Sequence, residues 1–177
     1  SGQGTNLYNL ISRSRDNNFP IKISLVISNN KNAKGINFAK KYKIPYFFID
    51  TKIHYYEKII LYNLRKYKIS FICLAGYMKI ISNYLIRNYQ NKIINVHPSL
   101  LPKFKGLNTF SRMLKKKENK AGCSVHYVNK KLDSGDIIVQ KFFYINNFDN
   151  ENSLKEKTQK LEYKAFPEAI IKIFRNN

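Results

Sequence analysis

The sequence predicts an α/β fold, a mostly parallel twisted sheet with helices on both faces, and three observations carry that expectation. Runs rich in β-branched residues alternate with helix-patterned segments through the N-terminal half. The run from Ile69 to Ala75 is nearly continuously apolar, as strands covered on both faces are. A glycine-bearing turn, Ser1-Gly2-Gln3-Gly4, leads straight into a helical segment, which is how such folds set backbone N–H groups against a phosphate.

The elements follow in order. The opening turn feeds a helix through about Arg15; a strand normally stands before such a turn, and its absence here, with no initiator Met, reads as a first strand missing from the given chain. Ile21 to Ser28 alternates and predicts a strand, Asn29 to Lys34 a polar turn, and Gly35 to Lys43 a helix with Ile36 and Ala39 inward. Tyr46 to Ile49 predicts a short strand, His54 to Lys68 a helix burying Ile59, Ile60 and Leu64, and Ile69 to Ala75 a buried central strand. Ser82 is placed to cap a short helix to Arg87, and Lys92 to Val96 is a strand that ends at His97-Pro98. The pattern then changes to two strands, Cys123 to Val128 and Ile137 to Tyr144, and closes on a long helix from Ser153 to Phe174 interrupted near Pro167.

With 177 residues, 44% of them hydrophobic, the chain suits a single domain over residues 1–177 with a real core. No stretch approaches the roughly 18 uninterrupted apolar residues of a membrane helix, so a cytoplasmic location and no membrane partner are expected. Cys73 and Cys123 lie in apolar runs without a metal-ligand spacing, which predicts reduced packing residues and no metal. A net charge of +21 could advertise a nucleic-acid partner. Most of it is Lys spread along a chain also rich in Asn, Ile and Tyr, however, which fits compositional bias better than a built basic face, and no specific nucleic acid is expected.

Three polar clusters fall at strand ends, where open α/β sheets bind ligands. Gly4-Thr5-Asn6 can turn backbone donors toward an anion, although ordinary loops look the same. In Asn95-Val96-His97-Pro98-Ser99-Leu100-Leu101-Pro102, Asn95 and His97 project from one face of a strand and pair an amide donor with an imidazole. Acyl transfer to an amine needs that pair, one group for the oxyanion and one for the proton; a hydrogen-bonded histidine before a proline turn is the bland alternative. Leu132-Asp133-Ser134-Gly135 reads locally as a turn, but an Asp133 that faced His97 would favour the imidazolium.

These residues resemble the folate-dependent formyltransferases, and among them the phosphoribosylglycinamide formyltransferases of purine synthesis. The likeness runs over essentially the whole chain, through Ser1 to Leu7, Leu74-Ala75-Gly76-Tyr77-Met78-Lys79-Ile80, Asn95 to Gly106, Ser124-Val125-His126-Tyr127-Val128 and Leu132-Asp133-Ser134-Gly135. The resemblance implies a Rossmann-like catalytic domain that moves the formyl group of 10-formyltetrahydrofolate, its co-substrate, to the amine of glycinamide ribonucleotide without a metal. It implies that Asn95 bonds the formyl oxygen, that His97 stabilises the tetrahedral species and shares in proton transfer, and that Asp133 holds His97 charged and passes the proton to the departing nitrogen. By the same likeness Gly4, Thr5 and Asn6 cradle the ribonucleotide phosphate, with Gln159 and Glu162 reaching the phosphate and ribose side. Met78, Lys79, Ile80, Ile81 and Asn129 lie against the folate, and His126 matches a recurring family histidine that either acts in the site or, as an inward strand residue, only orients it. A monomer or homodimer is expected.

The chain departs from the family pattern after Lys105-Gly106, where Asn108, Thr109 and Phe110 stand at the place of a histidine or other polar residue two or three positions beyond the glycine. Formyltetrahydrofolate deformylase and methionyl-tRNA formyltransferase are the nearest alternatives. The first tends to read His-His where this chain has His97-Pro98, and the second usually adds a tRNA-binding domain.

Overall fold

The computed structural model describes residues 3–175, so Ser1 and Gly2 of the expected opening turn lie outside the described residues. The chain divides into two compact units, Ser1–Ile93 and Ile94–Asn177.

The first unit is alternating α/β. Helix α1 (Thr5–Arg13) starts on Gly4, whose φ of 73° is left-handed, and buries Leu10 and Ile11. Strand β1 (Val26–Ser28) pairs in parallel with β2 (Tyr46–Phe48), and helix α2 (Lys34–Lys41) joins them, burying Ile36 and Ala39 as their spacing predicts. The expected strand from Ile21 is shortened to three residues for a local reason. Val26 lies opposite Tyr46, so a longer ladder would set Leu25 against Pro45, which has no N–H to give.

Helix α3 (Tyr56–Lys66) buries Ile60, Leu61 and Leu64. Its end consumes part of the apolar run that follows, because Ile69 N–H donates to Leu64 O at 2.8 Å. Strand β3 is therefore only Ile72–Leu74, and its residues are half-buried rather than buried. Helix α4 (Asn83–Asn88) is capped by the Ser82 hydroxyl, which accepts from Tyr84 N–H at 3.2 Å. The buried Glu57 carboxylate in turn accepts from Ser82 N–H at 2.9 Å and bonds its hydroxyl.

In the second unit the pairing is antiparallel. Strand β4 (Ile93–His97) enters it at Ile94 and pairs with β5 (Lys120–Tyr127), which pairs with β6 (Ile137–Tyr144). Gly122 is required where β5 meets β6, since a Cβ there would stand 2.0 Å from Lys141 O. Helix α5 (Thr109–Lys115), which sequence patterning did not foresee, buries Thr109 and Met113.

Helix α6 (Glu151–Arg175) covers β5 and β6 and runs through Pro167 instead of breaking there. A proline inside a helix costs about 3 kcal/mol. Phe166 and Ile170 flank it at 0% exposure, and burial of each returns roughly 2 kcal/mol, so packing outweighs the lost bond. Among the described residues no helix is long and apolar enough to cross a membrane.

Candidate active site

The second unit gathers two histidines, one aspartate and one asparagine at the end of β4. In its register Asn95 stands opposite His126 and His97 opposite Ser124, so the two-residue period of β4 sends Asn95 and His97 to one face. Asp133 arrives from the turn between β5 and β6. His97 Nδ1 lies 3.4 Å from Asp133 Oδ2, and His126 Nε2 lies 3.6 Å from Oδ1, with all three side chains under a tenth exposed.

Backbone atoms complete the arrangement. His97 Nε2 is 2.9 Å from Phe104 O, and a carbonyl can only accept, so Nε2 carries a proton. Both ring nitrogens thus face acceptors, which a doubly protonated ring satisfies. Asp133 Oδ2 is itself fixed by Gly106 N–H at 2.8 Å. Lys105, next in the chain, donates to the Ser134 hydroxyl, so consecutive residues of one loop hold consecutive residues of the other.

His126 is settled differently. Its Nδ1 donates to Tyr127 O at 2.8 Å, which leaves Nε2 as a lone pair 3.4 Å from the Asn95 amide nitrogen. Burial is the largest influence on its pKa and lowers it, and the charges of His97 and Lys105 act the same way; the Tyr127 carbonyl and Asp133 oppose them without prevailing. A neutral His126 therefore presents an acceptor to Asn95 and orients its amide.

The turn is also a steric construction. Asp133 sits at φ 46°, a left-handed conformation that Asp tolerates better than most residues. A Cβ on Gly135 would come within 1.8 Å of Tyr127 O, so only glycine closes the loop there. Asn129 spans it from the other side, donating to Ser134 O at 3.0 Å and accepting from Lys131 N–H at 2.9 Å. Beneath His97 the buried Ser124 hydroxyl donates to Ser99 O at 2.6 Å and accepts from Leu101 N–H and the Gln140 amide, which fixes the turn after Pro98.

Residues 1–170 match the family described as Formyl transferase. The chain belongs to the formyl transferase family. A phosphoribosylglycinamide formyltransferase from Bacillus subtilis is 34% identical over 174 residues, covering 96% of this chain and 89% of that protein. The human trifunctional purine biosynthetic protein adenosine-3 is 35% identical over 96% of this chain, which spans 17% of that longer protein. A crystal structure of phosphoribosylglycinamide formyltransferase from Anaplasma phagocytophilum aligns with a TM-score of 0.94 at 36% identity, covering 99% of this chain and 83% of that one.

The other residues expected to serve a formyl transferase lie in both units. In the first, Gly4, Thr5 and Asn6 open α1, and a Cβ on Gly4 would meet Gly35 N at 2.7 Å, so the close approach of α1 and α2 demands glycine. Met78 and Ile80 are 65% and 72% exposed, large apolar side chains held out from a loop that ends at the Glu57–Ser82 anchor, with Lys79 exposed and Ile81 half-buried beside them. In the second, Gln159 and Glu162 are half-buried on α6, and Glu162 is near enough to Cys123 for its charge to act on the thiol.

The two cysteines are free, and burial pushes each thiol up to about 12, so they pack as neutral groups. Sequence reasoning missed Lys105, Ser124 and Gln140 as supports. Their partners are a loop hydroxyl, backbone groups at Ser99 and Leu101, and each other across β5 and β6, none of which leaves a spacing signature.

Proposed function

We propose that this chain transfers the formyl group of 10-formyltetrahydrofolate to the amine of glycinamide ribonucleotide, giving formylglycinamide ribonucleotide in purine biosynthesis. The observation that carries the reading is the His97–Asp133 pair at 3.4 Å beside an Asn95 amide held by His126. The co-substrate supplies an activated formyl carbonyl, and the residues suit it: acyl transfer calls for a donor and a positive charge near the carbonyl oxygen, with a carboxylate within reach of the proton.

Asn95 donates its remaining amide N–H to the formyl oxygen. His97, protonated between Phe104 O and Asp133, stabilises the negative charge that develops as the amine attacks. The new C–N bond forms on the amine, the bond to the folate nitrogen breaks, and the amine's proton travels by way of Asp133 to the departing nitrogen. Gly4, Thr5 and Asn6 receive the ribonucleotide phosphate at the start of α1, supported by Gln159 and Glu162. The segment Met78 to Ile81 and the loop at Asn129 receive the folate ring. In this reading residues 1–177 are one catalytic domain, and the free thiols suit a reducing cytoplasm.

The test is formyl transfer followed by the rise in folate product absorbance, with and without glycinamide ribonucleotide. Turnover that depends on the acceptor supports the reading. Product formed without acceptor would replace it with formyltetrahydrofolate hydrolysis, and no turnover in either condition would remove it.

A further inference from the structure

Both ends of the His97–Asp133 pair are fastened to one short backbone segment, residues 104–107. Phe104 O takes His97 Nε2–H at 2.9 Å, and Gly106 N–H holds Asp133 Oδ2 at 2.8 Å. That segment is conformationally costly. Phe104, Gly106 and Asn108 adopt φ values of 56°, 77° and 54°, three left-handed residues within five, and for a bulky residue such as Phe104 that conformation persists only when its surroundings impose it.

One side chain imposes it from several sides. Arg112, on α5, donates through Nη1 to Lys105 O at 2.6 Å and to Leu107 O at 2.9 Å, the two carbonyls that flank Gly106. Its guanidinium also lies 5.5 Å from the centroid of the Phe104 ring. An arginine keeps its charge at any ordinary pH and carries its donors on a planar fork, so it can hold both carbonyls and the ring together. We infer that Arg112 is a positioning residue for proton transfer, acting through residues 104–107 to hold His97 and Asp133 in register. The inference rests on the formyl-transfer reading for its consequence in turnover, but its geometric content stands apart from any substrate.

The experiment pairs two variants with two readouts. Arg112→Met keeps an unbranched apolar side chain and removes the donors; Arg112→Lys keeps a charge and N–H donors but lacks the planar guanidinium that meets both carbonyls and the Phe104 ring. The first readout is the His97 Nε2–H resonance in ¹H–¹⁵N spectra of the free protein, slow to exchange while Phe104 O accepts it.

The second is steady-state kinetics for both substrates. In Arg112→Met the resonance is expected to broaden or vanish and kcat to fall about tenfold, the size lost when the support of a site residue is removed, with both KM values within twofold. Arg112→Lys should fall between. An unchanged resonance with kcat within twofold of the parent overturns the inference, as does a loss in which both KM values and the melting temperature move along with kcat. If Arg112→Met does not fold, the same readouts on Arg112→Lys decide. If the parent shows the resonance but transfers no formyl group, the functional reading fails while the spectra still test the clamp.

Discussion

Replacing Asp133 by Asn separates charge from shape at the centre of the site. The amide oxygen can still accept Gly106 N–H, now 2.8 Å from Oδ2, and the amide nitrogen would take the place of Oδ1, 3.6 Å from His126 Nε2. Because His126 donates through Nδ1 to Tyr127 O, its Nε2 is a lone pair, a better neighbour for an amide N–H than for a carboxylate oxygen. Folding should therefore survive, with a melting temperature within a few degrees of the parent. The catalytic loss is different in kind. Opposite unit charges 3.4 Å apart attract by roughly 5 kcal/mol at an effective dielectric near 20, and desolvation of two groups under a tenth exposed cancels much of it. General acid–base catalysis accounts for about 100- to 10,000-fold in rate. We expect kcat to fall about 100-fold or more, close to 3 kcal/mol of barrier, with both KM values nearly unchanged. Product absorbance in steady state and circular dichroism melts measure the two halves. A variant that folds and turns over within threefold of the parent would refute the proton relay.

Three further outcomes follow from other parts of the structure. His126 has a lowered pKa, so between its ordinary value of 6.5 and its folded value the unfolded chain binds more protons, and stability falls as pH drops through that window; His126→Gln should flatten this acid dependence of the melting temperature. Gly135→Ala forces a Cβ to 1.8 Å from Tyr127 O, and is expected to displace the Asp133 turn and cut kcat at least tenfold, as kinetics on the soluble variant will show. Asp149 precedes α6. Burial raises its pKa, but Asn146 N–H, Lys157 and Ser153 outweigh that and hold it at about 2, below the ordinary 3.8. Its contribution is full above pH 3.8 and is lost as pH falls through about 2, so Asp149→Asn should cost about 1 kcal/mol at neutral pH and much less at pH 2, read by denaturant melts at both.

What was legible in the sequence was what side-chain chemistry writes into it. The two-residue period of β4 places Asn95 and His97 together, and Ser82 announces α4; both stand in the structure as expected. Element ends were less legible because backbone events set them. Pro45 stops the β1–β2 ladder from the neighbouring strand, and the close of α3 takes Ile69 from an apolar run whose composition says only strand. Helix α5 was hidden because it begins on a left-handed Asn108 without a side-chain cap and ends in the lysine run at 115–117, where apolar periodicity stops. Pro167 misled in the opposite sense, since local geometry argues for a break and burial overrides it.

The same division runs through the site. Leu-Asp-Ser-Gly reads locally as a turn, and the turn is what aims the carboxylate at His97: the left-handed Asp133 and the glycine against Tyr127 O set its direction. The partners that decide how that carboxylate and His97 behave are Phe104 O and Gly106 N–H, atoms every residue possesses. A search for catalytic residue types cannot find them. It follows that the residues most informative to vary next are those whose side chains govern that backbone, and Arg112, bonded to carbonyls on either side of Gly106, is placed to do so.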